Sequence, residues 1–470
     1  MKPESLLGIA LELIETLLEP GGFPADARMG KFFRQRRFLG SRDRRFLSEA
    51  AYAWLRHFPR ARGRWEAWAA RCGQPSLASA TAAGDRALLL LELFALASES
   101  LFPWSVDDTV AAAQRVTWEN DAEKEFVTTA LKQLGDVRPT FTPDDWPVDV
   151  SERHAAEMSL PVWLADALRA DYSAQGAETL ATAVARPATV DLRVNSRLVT
   201  RANAQQSLEE ELSESVELTR WSPMGLRLKS RKNLTGTRAS RKGWIEVSDE
   251  GSQVVALALD VQSGMSIIDA CAGAGGKTLT LADTLLGKQG TDDPLEVWNR
   301  TRIYACDVLP HKLEELSRRA TDAGVEKWLE TIVVEELGPL PDGLPPADVV
   351  LVDAPCSGLG TLRRNPDLKR RYGPSDIERF AGQQRELLDR FAPLVKPGGR
   401  LAYATCSLLK TENEAVADAF ISQHPEFQPY RSEWASKRLP PECIQGDYLR
   451  LDPAVSSTDG FFLAQFELRS

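Results

Sequence analysis

Residues Ser266-Ile267-Ile268-Asp269-Ala270-Cys271-Ala272-Gly273-Ala274-Gly275-Gly276-Lys277-Thr278 decide the fold of this chain. The first five residues form a short apolar run, which is typical of a buried parallel strand. A glycine-rich turn follows directly, and glycines permit unusual backbone angles and let a ligand approach the main chain. The stretch therefore predicts a strand, a ligand-binding turn and then a helix.

The spacing of these glycines argues against two common nucleotide sites. After Gly273, Gly275 and Gly276 the chain continues with Lys277-Thr278-Leu279, so the dinucleotide pattern G-x-G-x-x-G is not met. The P-loop pattern G-x-x-x-x-G-K-[ST] is not met either. NAD and ATP sites are therefore disfavoured.

Alternating strands and helices are predicted from about residue 246 to the C-terminus. Apolar runs predict further strands at 302–307, 330–334, 348–353 and 399–405, and helical spacing predicts helices such as 311–323 and 375–391. This order implies a doubly wound, Rossmann-like α/β sheet with its ligand at the carboxyl ends of the strands. Asp307 ends the second strand, where an acidic residue typically bonds the ribose hydroxyls of an adenosine cofactor. Taken alone, Asp307 could also be a helix cap.

Two modules are predicted ahead of this domain. Residues 1–140 show helical spacing throughout and predict an all-α domain. A Pro-rich linker at 139–147 leads to a small α+β module at 150–245, with strands predicted at 189–195, 216–219 and 225–228 and helices at 162–172, 177–185 and 202–212. Within the third domain, 246–470, the polar stretch 288–299 is expected to be a surface loop.

Composition places the chain among soluble globular proteins. It has 470 residues, of which 43% are hydrophobic and 26% charged. We find no signal peptide and no run of about 18 apolar residues, so we expect a cytoplasmic protein without a membrane span, and a monomer. The six cysteines form no C-x-x-C pair and the four histidines are isolated, so no metal site is expected.

The charge distribution favours a nucleic-acid partner although the net charge does not. The formal net charge is −10. The positive charges nevertheless cluster, and three clusters in one chain lead us to expect phosphate contacts. The clusters are Arg34, Arg36, Arg37, Arg42, Arg44 and Arg45; Arg227, Lys229, Arg231, Lys232, Arg238, Arg241 and Lys242; and Arg363, Arg364, Lys369, Arg370 and Arg371.

Two cysteines follow two of the predicted strands. Cys356 lies in Asp353-Ala354-Pro355-Cys356-Ser357-Gly358 and Cys406 in Thr405-Cys406-Ser407. Because strand ends face one crevice, the two thiols are expected to lie close together. A cysteine is often an inert buried hydrophobe, and Cys72, Cys306 and Cys443 are interpreted in that way.

A thiol in this place suits methylation of cytosine at carbon-5. Thiolate addition at carbon-6 makes carbon-5 nucleophilic enough to accept a methyl group. An acidic group must then bond ring nitrogen 3, and Asp353 is expected to do so. The sequence does not identify the base that removes the carbon-5 proton.

These motifs resemble those of the RNA cytosine-C5 methyltransferases of the RsmB/Sun and NSUN family. The glycine turn resembles the family's D-x-C-A-A-P-G-G-K-T, and the cysteine motifs resemble its D-A-P-C-S-G-x-G and Y-x-T-C-S. Asp459-Gly460-Phe461-Phe462 resembles a further family segment. The first domain resembles the NusB-like domain of the bacterial ribosomal members, and the middle module resembles the family's small RNA-binding domain, which is similar to an RNA-recognition motif.

The resemblance implies a cofactor and a set of roles. The cofactor would be S-adenosylmethionine, held by Cys271, Ala272, Gly273, Ala274, Gly275, Gly276, Lys277, Asp307, Glu335 and Asp353. Cys406 would be the nucleophile, Cys356 would assist product release, and Asp353 would contact the target base. Glu335-Glu336 stands where the family usually has an aspartate.

The first hypothesis is therefore an rRNA cytosine-C5 methyltransferase, with small-subunit rRNA favoured over tRNA by the N-terminal domain. A non-catalytic RNA-binding assembly factor is the second, and the intact cysteine pair speaks against it. A DNA cytosine methyltransferase is the third. That class resembles P-C-Q at its nucleophile, whereas Ser357 follows Pro355-Cys356 here.

Overall fold

The structure is a computed structural model that describes residues 3–19, 24–71, 85–113, 116, 125, 144–287, 299–336 and 338–470. Two compact units divide the chain: Met1–Ala185 with Arg364–Gly373, and Arg186–Arg363 with Pro374–Ser470. The sequence predicts three modules, at 1–140, 150–245 and 246–470, whose boundaries differ from those of the two units; this division into modules stays a prediction. No helix in the described ranges is long and apolar enough to cross a membrane.

The first unit is helical, as the sequence predicts for its N-terminal part. Its helices are α1 (Pro3–Leu18), α2 (Ala25–Gln35), α3 (Ser41–Arg71), α4 (Asp85–Ser98), α5 (Val106–Ala113), α6 (Val150–Met158), α7 (Val162–Asp171) and α8 (Ala174–Val184), with a short helix at Leu368–Arg371. Trp54 and Trp65 of α3 are fully buried in its core. Most of the predicted linker, 139–143, lies outside the described residues, as does Cys72.

The second unit begins with a small antiparallel sheet in the order β2-β3-β1-β4. Its strands are β1 (Val190–Val194), β2 (Val216–Leu218), β3 (Gly225–Leu228) and β4 (Ile245–Val247), with the helices α9 (Arg201–Leu212) and α10 (Arg238–Arg241). Leu192, Leu208 and Leu226 are buried together between sheet and helix. The first three strands confirm the prediction. β4 was not predicted: it pairs with β1, far earlier in the chain, whereas the equally short β2 pairs with the neighbouring β3.

The larger sheet confirms the predicted doubly wound fold. Its order is β7-β6-β5-β8-β9-β13-β12-β11, and β10 pairs with β13. The strands are β5 (Ser266–Asp269), β6 (Arg302–Asp307), β7 (Leu329–Val333), β8 (Ala347–Asp353), β9 (Val395–Thr405), β10 (Phe427–Pro429), β11 (Ile444–Gln445), β12 (Tyr448–Leu451) and β13 (Phe461–Leu468). The helices are α11 (Glu250–Leu257), α12 (Gly276–Leu286), α13 (Pro310–Asp322), α14 (Pro374–Phe391), α15 (Glu414–Gln423), α16 (Glu433–Arg438) and α17 (Pro453–Ser456).

Strand order fixes where a ligand binds. β5 to β9 are parallel, and the chain crosses from β7 at one edge to β8 on the other side of β5. The carboxyl ends of β5 and β8 therefore flank the switch point, where open α/β sheets bind their ligands. The antiparallel strands β13, β12 and β11, which continue the sheet beyond β9, were not predicted. The predicted insertion 288–299 lies outside the described residues except for Asn299.

Candidate active site

The glycine turn after β5 is held against the end of β6. Gly273 donates its backbone N–H to Asp307 Oδ2 at 2.8 Å, and Leu309 donates to Asp307 Oδ1 at 2.8 Å. Gly273 has φ +53°, and a Cβ built at Gly273 or Gly276 meets nothing within 4 Å. The turn is thus an open cradle lined by main chain, as close approach of a ligand requires.

A cavity of about 300 Å³ opens beside this turn. Its walls include Cys271, Asp307, Leu309, Val334 and Glu336, with Pro355 on the side of β8. The cavity is large enough for a small ligand. Each oxygen of Asp307 accepts one backbone hydrogen bond and keeps a second lone pair that a hydroxyl group can use. The residues fit a nucleoside with its ribose at Asp307.

Lys277 and Asp353 form an ion pair at the switch point. Lys277 Nζ donates to Asp353 Oδ2 at 2.7 Å, and the lysine is only 8% exposed. Burial disfavours the ammonium ion, but the charge and the hydrogen bond of Asp353, together with other negative groups nearby, outweigh burial, so the pKa of Lys277 is raised. Cys406 also lies within electrostatic reach of Lys277. The turn after β5 and the loop after β9 therefore belong to one site.

The two predicted cysteines lie side by side. Cys356 Sγ and Cys406 Sγ are 3.3 Å apart, and Cys406 donates its backbone N–H to Cys356 Sγ at 3.4 Å. The hydrogen bond with Cys406 and burial raise the pKa of Cys356 well above its usual range. Cys356 therefore keeps its proton at neutral pH. The strands explain the meeting, because β8 and β9 are parallel neighbours with Asp353 paired to Ala404.

One buried carboxylate accepts hydrogen bonds from both cysteine loops. Glu412 Oε1 accepts the backbone N–H of Ser357 at 2.8 Å, and Glu412 Oε2 accepts the hydroxyls of Ser357 and Ser407, each at 2.5 Å. Gln384 Nε2 donates to Pro355 O at 2.9 Å and to Glu412 Oε1 at 3.3 Å. Glu412 and Gln384 are fully buried.

Sequence reasoning did not assign these two residues a role. Glu412 follows Cys406 by only a few residues and is fully buried, but its burial cannot be read from the residues beside it in the sequence. Gln384 gives no signal, because it lies among charged residues on α14.

Most predicted cofactor residues lie at the cradle or cavity, and Glu335 does not. Ala272 donates its N–H to Cys306 O at 2.8 Å, and Gly275 donates to Ala272 O at 2.9 Å, which closes the turn. Arg319 donates to Ala274 O. Glu335 is exposed with its side chain against Gly338, whereas Glu336 lines the cavity. No group of three or more possible metal-ligating side chains is found in the described ranges.

The basic clusters are placed differently from one another. In the second, Arg227 pairs with Asp191 and Glu250, while the other six members are exposed. In the third, Arg363 is buried and donates to Ser457 O at 2.9 Å. Lys369 is buried too, and donates to main-chain carbonyls of the helical unit. The expectation of phosphate contacts is therefore wrong for these three residues, because protein groups already hold them.

The fold and the site define a class of protein, a Rossmann-like methyltransferase. The crystal structure of a methyltransferase homologue from Pyrococcus horikoshii is similar with a TM-score of 0.52 at 25% identity, covering 67% of this chain and 97% of that one. The crystal structure of PH0851 is similar with a TM-score of 0.71 at 25% identity, covering 99% of each chain.

Sequence comparison defines the family. The 16S rRNA methyltransferase RsmB/F family matches residues 256–467, and its ferredoxin-like domain matches residues 160–235. A probable ribosomal RNA small subunit methyltransferase B of Bacillus subtilis is 33% identical over 330 residues, which are 69% of each chain. This chain belongs to the RsmB/F family of 16S rRNA methyltransferases.

Proposed function

We propose that this protein transfers a methyl group from S-adenosylmethionine to carbon-5 of a cytosine in small-subunit rRNA, with Cys406 as the nucleophile. The observation that carries the proposal is the pair of thiols 3.3 Å apart at the strand ends beside the switch point. Methyl transfer to a nitrogen or an oxygen needs no thiol. Methylation of carbon-5 does need one, because the ring must first be activated by covalent addition of a nucleophile. Membership of an rRNA methyltransferase family supports RNA as the substrate.

S-adenosylmethionine, the methyl donor in this proposal, is expected in the cavity beside the glycine turn. Asp307 would hold the ribose hydroxyls, and Cys271 and Leu309 would line the pocket around the base. The main chain at Gly273 leaves room for the remainder of the cofactor. Glu336 lines this cavity and would contact the cofactor in place of Glu335, the residue that the resemblance implied.

The two cysteines have different roles in the proposal. Cys406 adds to carbon-6 of the cytosine, and negative charge moves towards ring nitrogen 3. Asp353 would contact the base there through a proton shared with Lys277, whose ammonium group supplies the positive charge that stabilises the ring. The ion pair with Lys277 fixes the Asp353 carboxylate at 2.7 Å from an ammonium group. The raised pKa of Cys356 supports its assignment as the neutral thiol, which assists release of Cys406 from the product.

The test uses radiolabelled S-adenosylmethionine, unmodified small-subunit rRNA and a tRNA pool, followed by mapping of 5-methylcytosine. We expect one modified cytosine in the rRNA with the native protein and none with Cys406→Ala. Cys443→Ala is the matched control, because it makes the same substitution at a buried cysteine outside the two loops. Label that survives Cys406→Ala would show that the nucleophile is wrong. Absence of label in both RNAs would overturn the activity.

A further inference from the structure

A second cavity, of about 550 Å³, lies on the small sheet module. It opens between the loop that follows β1, the start of α9 and the segment before β4. The residues that matter for its chemistry are Arg197, Asn203, Gln206, Glu210, Arg238 and Trp244. None of them takes part in the site described above. The volume lies in the range of about 300–1,000 Å³ that small-molecule sites occupy.

One wall is an aromatic ring with a cation beside it. Trp244 is partly buried, and Lys242 Nζ lies 4.8 Å from the centre of its ring. Proteins bind unpaired bases by stacking them on such rings, and neighbouring cations hold the phosphates. A partly buried tryptophan is rigid, so little side-chain entropy is lost when a base stacks on it.

Other residues of the lining carry groups that can bond the edge of a base. Asn203 and Gln206 lie one turn apart on α9 and are exposed. Gln206 Nε2 donates to Glu210 Oε1 at 3.0 Å, which leaves the amide carbonyl of Gln206 as an acceptor. Glu210 repels phosphate, but it can accept a hydrogen bond from an amino group on a base.

Cations at the rim provide the phosphate contact. Arg238 is 4.0 Å from Glu210 and about half exposed, so this ion pair is weak and a phosphate can compete for the arginine. Arg197 lines the cavity and is 7% exposed. Its guanidinium lies 5.1 Å from the centre of the Trp328 ring and within electrostatic reach of Asp283 and Glu326. The exposed Arg238 is therefore the cation of this cavity that is open to a phosphate.

We propose that this cavity binds one unpaired nucleotide of the RNA substrate, with its base against Trp244 and its phosphate at Arg238. The inference rests on the proposed function for the identity of the ligand as RNA. It adds a subsite on the small module that selects single-stranded RNA, because both faces of a paired base are stacked within a duplex and only an unpaired base is free to stack on Trp244.

The direct test measures binding of the full chain to a labelled single-stranded oligoribonucleotide of about 10 nucleotides and to the matching duplex. Trp244→Leu is expected to weaken single-strand binding about 5- to 150-fold, the range for loss of one stacked base. Trp434→Leu is the matched control, since Trp434 is also partly buried and has Arg438 5.3 Å from its ring. Arg238→Ala is compared with Arg318→Ala, because both arginines are exposed and paired with a helical carboxylate.

A further variant separates binding from folding. Asn203 is the third residue of α9, whose N-cap is Thr200. Asn203→Glu completes the pattern of a capping box and places a negative charge at a helix N-terminus, so the fold is retained or stabilised. The same charge repels phosphate, and we expect at least a fivefold loss of RNA affinity. Thermal unfolding of each variant is measured beside binding.

The outcomes distinguish this inference from the proposed function. The inference is supported if Trp244→Leu and Asn203→Glu raise the KM for RNA while kcat stays near that of the native protein. It is overturned if both variants bind RNA as the native protein does, if the two controls lose as much affinity, or if duplex binds as well as single strand. A native protein that binds single-stranded RNA through Trp244 but methylates none would refute the proposed activity and leave the subsite standing.

Discussion

Replacement of Glu412 tests whether the two thiols are held by a shared support. The carboxylate accepts hydrogen bonds from the loop after β8 and from the loop after β9. Glu412→Gln keeps the shape of the side chain and removes its charge. The serine hydroxyls of both loops can rotate to accept from the new amide, so no buried group must lose every partner.

The expected loss of folding free energy follows from the number of hydrogen bonds that change from a charged to a neutral partner. Three short hydrogen bonds and one of 3.3 Å reach the carboxylate. A hydrogen bond to a charged group contributes about 1.5–3 kcal/mol and a neutral one about 0.5–1.5 kcal/mol. Loss of about 1 kcal/mol for each of the three short bonds destabilises the folded state by about 2–4 kcal/mol.

The effect on catalysis comes from the positions of the thiols. A misplacement of about 1 Å in an active site can cost about a hundredfold in rate. For Glu412→Gln we expect kcat for rRNA to fall about 10- to 100-fold with little change in the KM for S-adenosylmethionine. The KM should hold because Glu412 does not line the cofactor cavity.

The assay is steady-state methylation at a temperature at which all variants are folded, with thermal unfolding measured in parallel. Glu433→Gln is the control, because Glu433 is exposed and forms a surface pair with Lys437. If Glu412→Gln showed the kcat and the melting temperature of the native protein, the carboxylate would not position the thiols, and the reasoning would be refuted.

Three further predictions concern the same site. Lys277→Met should lower stability by about 1–3 kcal/mol in chemical denaturation, because Asp353 loses its buried partner but is 27% exposed and regains some water; an unchanged midpoint would contradict this. Gly360→Ala should abolish methylation, since its Cβ would lie 2.2 Å from a backbone oxygen, whereas Gly382→Ala meets nothing within 4 Å and should stay active. Burial raises the pKa of Asp269 from 3.8 to about 7. The folded state therefore binds the proton more tightly than the unfolded state, so stability should fall as pH rises from about 4 to about 7, and Asp269→Asn should flatten that slope in pH-dependent unfolding.

The fold could be predicted where a local pattern sets it. The parallel strands and the helices between them were found within a few residues, because buried strands are continuous apolar runs. β13 was missed although it is the longest partner of β9, since its alternation is broken at Phe461-Phe462-Leu463 and nothing local marks it as antiparallel. The short strand β4 pairs with β1, far earlier in the chain, so no local pattern marks it.

The basic clusters show why function is harder to predict than fold. Lys369 and the arginines at 227 and 363 look the same in sequence as exposed arginines nearby, yet Lys369 and Arg363 are buried against protein acceptors and Arg227 is half-buried in an ion pair. The acceptor of Arg363 at residue 457 is 94 positions away. A cluster of positive charge therefore predicts phosphate contacts only after the residues with internal partners have been removed from it.

The cysteine pair was predictable for the opposite reason. Cys356 and Cys406 are 50 residues apart, but each follows a strand, and β8 and β9 are parallel neighbours. Parallel neighbours end at the same edge, so the meeting of the thiols follows from strand order rather than from any sequence contact. Strand order brings the two thiols near each other. Their 3.3 Å separation depends in addition on the side chains that hydrogen-bond to the two cysteine loops. Because that support comes from Glu412 and Gln384, to which the sequence assigned no role, the proximity of the thiols can be inferred from topology while their placement requires the structure.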